Sequence, residues 1–86
     1  MSKKHYVNNA DFLADALVDR NAAIKADAQQ WAEDLWEAGN KQFGKAVRDL
    51  EREREESARE YALIAAQLFS DAELAAIQNR ILAQAR

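Results

Sequence analysis

Glu55, Glu56 and Glu60 are the densest set of side chains in this chain that could move a proton or hold a cation. Carboxylates do acid/base or metal chemistry on helices when histidines complete the set, as in paired Glu-x-x-His arrangements. Nothing completes it here. The only histidine, His5, falls in a segment expected to be a flexible tail, so neither a histidine-activated nucleophile nor a histidine metal cluster can be assembled. Cysteine is absent, which removes disulfides, thiolate metal sites and cysteine nucleophiles together and fits a reducing cytoplasm. No glycine-rich loop is present to cradle a phosphate. The three glutamates read as a solvated helix face. No catalytic residue, metal ligand or cofactor is expected, and the chain reads as a non-enzymatic protein.

Two other sets could bind rather than react. Lys41, Lys45, Arg48, Arg52 and Arg59 recur at helical spacing and form a basic row suited to an anion or to nucleic acid. Glu51, Glu55 and Glu56 flank that row, no base-reading aromatic motif accompanies it, and the net charge is −3. Nucleic acid is therefore the disfavoured partner. Asp27 and Arg54 make the second set. They are expected to face each other as a structural polar pair in an otherwise apolar seam, fixing register, with an anion pocket beside Arg54 and Arg20 as the alternative.

The elements that must position these residues are helices. No proline occurs, the glycines number two, and 31% of residues are charged, a composition suited to long uninterrupted helices. The expected fold is all-α, one domain over residues 1–86: a tail over 1–8, helix over 10–38, helix over 41–69 and a short C-terminal helix over 71–85. Asn8 and Asn9 serve as N-cap candidates with Asp11 in the first turn, and the first helix is read as continuous through VDRNAA. Gly39 is read as the left-handed residue that ends it. Ser70 and Glu73 read as a capping box starting the last helix. The first two helices then form a long antiparallel hairpin, a small three-helix bundle is completed by the third, and facing residues sum to about 81, pairing Trp31 with Leu50 and Leu17 with Ile64.

A chain of 86 residues has room for one modest core, and much of its 49% hydrophobic content is alanine. A dimer or higher oligomer, or a protein partner, is the expected supplement. The third helix is too short to reach the hairpin tip, so Trp31, Trp36, Phe43, Val47 and Leu50 are expected to stay uncovered there as a partner-binding cluster. Trp36 lies about 140° from Trp31 around the helix and is expected to project sideways. The hairpin is expected to be dipolar, with Asp11, Asp15, Asp19, Glu33 and Glu37 opposing the basic row. No run of about 18 apolar residues suggests a membrane span, and no signal-peptide pattern opens the chain.

The segment KKHYVNNADFLADAL, through Leu17, resembles the opening of the sigma-like late-transcription factors of tailed phages, in which a Tyr-Val-Asn-Asn stretch leads into an apolar helix. The resemblance covers under a fifth of the chain, and the polymerase-binding and promoter-binding helices of those factors do not follow. It implies a phage origin and polymerase contact, and carries no site residue over. Tyr6, Val7, Asn8 and Asn9 also serve as an ordinary helix entry. The functional expectation is a small helical interaction protein, phage-encoded and acting in the host cytoplasm, that modulates or inhibits a larger complex such as a polymerase or a defence machine. A self-assembling oligomer, structural or sequestering a small anionic ligand, and a nucleic-acid accessory protein are the alternatives.

Overall fold

In the computed structural model the described residues are 2–85, with side chains described from residue 11 onward. The fold is all-α: α1 spans Ser2–Lys25, α2 Ala28–Trp31, α3 Glu33–Glu51 and α4 Glu55–Gln84. No strand occurs among the described residues.

The helix boundaries differ from the expected ones at every turn. Helix already begins at Ser2, where residues 1–8 are read above as a tail. The side chains of His5, Tyr6, Val7, Asn8 and Asn9, and with them the asparagine caps, lie outside the described residues. Helix is unbroken through VDRNAA, as expected, but stops at Lys25, and turns at Ala26–Asp27 and at Ala32 replace the continuous run to residue 38. Neither glycine ends a helix: both lie inside α3, and the hairpin turn falls instead at residues 52–54, among the charges of EREREE. Ser70, Asp71 and Glu73 lie inside α4, so the capping box is unused.

The reason for Gly39 is packing. A Cβ built there would stand 2.7 Å from Cδ1 and Cε1 of Phe69, well inside van der Waals contact. Glycine is thus the residue that lets α3 close onto α4, and the cost of a glycine in a helix, about 1 kcal/mol relative to alanine, is offset by that approach. The two real turns are made by residues with poor credentials for them. Asp27 and Glu53 take left-handed conformations, with φ of 61° and 60°. Neither Asp27, Ala32 nor Arg54, the residues preceding α2, α3 and α4, caps its helix with a side chain. What fixes the second turn is Asp49. Its carbonyl accepts the Arg54 N–H at 2.8 Å, and its buried carboxylate accepts the Ser57 hydroxyl across the turn.

α4 is the central element. Both α1 and α3 pack along it, while α1 and α3 touch each other little. Phe12 packs with Ala58 and Ala62, and Ala23 and Ala26 with residues from Ala65 onward, so α1 runs parallel to α4 and α3 runs antiparallel to both. The result is a slim body of 56 × 19 × 13 Å. Along α4 the buried positions are Ala58, Ala62, Ala65, Phe69, Ala72 and Ala76, an alternation of four and three residues that keeps one stripe facing its neighbours. Ten of the twelve buried hydrophobic residues are alanine, and Phe69 is the largest fully buried side chain. Alanines let helix backbones approach closely, but each methyl contributes under about 1 kcal/mol on burial. The core is close-fitting and small.

Candidate functional site

The aromatic cluster lies within this packing. With α3 running through Gly39, there is no hairpin tip beside Trp36. Trp31, Trp36 and Phe43 instead lean on the cluster around Phe69, and Leu50 leans on the one around Phe12. All three aromatic residues, with Val47 and Leu50, are half-buried. Trp36 does not project from the side: its ring meets that of Phe69 at 5.6 Å between centroids, tilted by 55°. Arg20 also lies over the Trp36 ring, with the guanidinium carbon 4.9 Å from the ring centroid, within cation–π range. Arg20 is held there because its Nε donates to Asn40 Oδ1 at 2.8 Å, while Asn40 Nδ2 donates to the Trp36 carbonyl at 3.1 Å. Arg20, Trp36, Asn40 and Phe69 form one joined group that ties α1, α3 and α4 together. Leu17 and Ile24 stand three residues before and four after Arg20, so they share the side of α1 that reaches α3, and both are exposed.

The polar sets are arranged differently from the expected pattern. Asp27 and Arg54 occupy turns at opposite ends of the bundle, about 30 Å apart at 1.5 Å per helical residue, so they form no pair and no anion pocket. Facing residues along α3 and α4 sum to about 108, as Gly39 against Phe69 shows, instead of pairing across a turn at Gly39. Lys41, Lys45 and Arg48 share one side of α3 and Arg52 lies just past its end in the turn, with the Lys45 ammonium 5.5 Å from the Tyr61 ring centroid. Arg59 is not part of that row. It sits on α4, stacked 4.8 Å over the Phe12 ring and paired with Glu55 at 3.2 Å. Glu55, Glu56 and Glu60 line an open depression of about 530 Å³ beside the turn, together with Glu53, Arg54 and Ser57. Among the described residues no group of three or more histidine, cysteine, aspartate or glutamate side chains is placed to hold a metal ion, and no helix is long and apolar enough to cross a membrane.

No family model, curated protein or solved structure matches the chain. Any functional reading therefore rests on the molecule's own surface. That surface carries what the sequence reading missed. Leu17, Val18, Ile24, Leu63, Ile64, Leu74, Ile77, Ile81 and Leu82 are all exposed, and Val18, Leu63 and Leu82 are each more than three-fifths so. Leu17 and Ile64 are expected above to face each other in the hairpin seam, because large aliphatics are usually inside. The signal that could have corrected it was the alanine spacing of α4, a helical seam made of the smaller residues.

Proposed function

We propose that this chain is a non-enzymatic helical interaction protein, and that its exposed aliphatic surface is where a partner protein binds. One observation carries the reading: among the described residues the buried hydrophobic positions are nearly all alanine, while nine leucine, isoleucine and valine side chains are left exposed. Single exposed apolar residues are ordinary on a monomer, but nine in a body of this size make extended patches of the kind that mark interfaces. Trp36, Phe43, Val47 and Leu50 contribute as the half-buried floor and wall of the face between α1 and α3, flanked by Leu17 and Ile24, while Trp31 stands apart from it, beside Ala75 and Asn79 of α4. Tryptophan is enriched among residues that dominate binding energy, and a pre-packed Trp36 loses little freedom on binding. Modulation or inhibition of a larger complex, with a polymerase as one such target given the N-terminal resemblance, is the role this surface is proposed to serve.

The test is affinity capture with the native chain against a chain carrying Leu17→Glu and Ile24→Glu. These two side chains face outward, so helicity and melting temperature should stay close to native. The native chain is expected to retain a stoichiometric partner that the double variant loses. Equal retention by both, or none by either, would discard this face as the binding surface.

A further inference from the structure

The apolar side of α4 is ordered along its C-terminal half. Leu74, Ile77 and Ile81 recur at three and four residues and lie within about 60° of arc, the arrangement by which one helix offers a seam to another. All three are exposed. Glu73 and Arg80, two helical turns apart, flank that seam along the same edge. Among the described residues neither is engaged in an ion pair or a side-chain hydrogen bond.

We propose that the occupant of this seam is a second copy of the chain, with the two α4 helices antiparallel about a two-fold axis near residues 75 and 76. Facing seam residues then sum to about 151, which sets Leu74 on Ile77 of the second copy and, by symmetry, Ile77 on Leu74. Flanking them, Glu73 meets Arg80 of the second copy, twice. The charges select this register. Sliding by one heptad either way sets Glu73 against Glu73 or Arg80 against Arg80, and facing like charges oppose association. Because the contact is two-fold and self-complementary it closes at two copies.

The inference rests on the reading of this chain as an interaction protein and names one partner for it, on a face separate from the one between α1 and α3.

Sedimentation equilibrium of the native chain, Glu73→Arg, Arg80→Glu and the double variant tests it. The native chain is expected to dimerise, each single reversal to raise the dissociation constant by about tenfold or more, and the double reversal to recover most of the native affinity. Circular dichroism at a dilution where all four chains are monomeric checks that each is folded. A cross-linking arm uses the absence of native cysteine. Mixed Leu74→Cys and Ile77→Cys chains are expected to form a disulfide with each other in preference to Val18→Cys chains with themselves. A native chain that stays monomeric, single reversals without effect, or a double reversal that fails to recover dimerisation overturns the proposal. If the native chain is monomeric yet still captures a partner through Leu17 and Ile24, the self-association proposal alone is lost and the interaction reading stands.

Discussion

The two sides of α4 solve different problems with the same helix. From Ala58 to Ala76 its inner stripe is alanine around one phenylalanine, fully enclosed by α1, α2 and α3. From Leu74 to Leu82 its outer side is leucine and isoleucine facing solvent. The inner stripe gains its stability from closeness: small residues at four-and-three spacing, with one glycine cut away to admit one ring. The outer stripe has apolar area in plenty and no neighbour within the chain to cover it. Buried area alone would have placed the leucines inside. The fold shows that fit between backbones can outrank residue size in choosing the seam, and that the larger residues are then left for a partner.

The sharpest break in this contrast is at Phe69. Phe69→Ala is expected to cost about 3–5 kcal/mol, a large fraction of the margin available to so small a domain, and chemical denaturation should show partial or complete unfolding. Gly39→Ala comes next. The added methyl meets the Phe69 ring at 2.7 Å, and overpacking of this kind costs about 1–3 kcal/mol, reduced by about 1 kcal/mol from the better helix propensity of alanine. Combining the two should be less damaging than their sum, because the methyl at residue 39 enters space the ring has vacated. Additive losses would show that Gly39 and Phe69 are not one packing unit. By contrast, Leu74→Gln or Ile81→Gln should alter the stability of the isolated chain by no more than about 0.5 kcal/mol.

At Asp49 the expected effect is smaller. Its carboxylate accepts the Ser57 hydroxyl and is the one buried polar side chain among the described residues. Asp49→Ala leaves that hydroxyl without its acceptor and should cost about 1–2 kcal/mol, while Asp49→Asn keeps an acceptor and should cost less. Urea midpoints for the two variants, with an unchanged denaturant slope, would separate the lost hydrogen bond from a change in the unfolded state.

How much of this was legible beforehand follows from the physics of each feature. The all-α class was legible because composition without proline, poor in glycine and rich in alternating charge has few other outcomes. The continuity of helix through Asp19 and Asn21 was legible too. The turns were not. Arg52, Glu53 and Arg54 are good helix formers, and Asp27 is followed by alanine and glutamine, so nothing local marks a break at either place. Tertiary packing imposes both, at the cost of a left-handed Asp27 and Glu53. Gly39 and the Ser70–Glu73 box carried real local signals that the same packing overrode. Misplacing the turn moved the pairing of the first hairpin from a sum near 81 to one near 108 between α3 and α4. That shift is why Asp27 and Arg54 were paired and why Trp36 was left without Phe69. Trp31, Trp36 and Phe43 pack on one core cluster and Leu50 on another, and the contacts of Trp36 with Arg20 and Phe69 are long-range ones that periodicity does not contain.

Glu53→Gly sharpens the point about imposed turns. Left-handed backbone costs a residue with a Cβ about 1 kcal/mol or more, and glycine avoids that cost. The gain is reduced by the extra freedom glycine has in the unfolded chain. A net stabilisation of a few tenths to about 1 kcal/mol is expected at Glu53 and likewise at Asp27. Thermal melts showing loss at both sites would mean that these residues do not hold the left-handed conformation in solution.

The mildest test uses the other glycine. Gly44 lies inside α3, five residues from Gly39, and a Cβ built there meets nothing within 4 Å. Gly44→Ala therefore adds no clash, improves helix propensity and removes freedom from the unfolded chain, so a gain of about 0.5–1 kcal/mol is expected. The same substitution five residues earlier should be destabilising. Opposite signs at two glycines of one helix isolate the role of Phe69, because the intrinsic helix term is the same at both sites and only the neighbour differs. Equal gains at both positions would mean that α3 does not close onto α4 at Gly39, and the alanine seam would then lose its tightest contact.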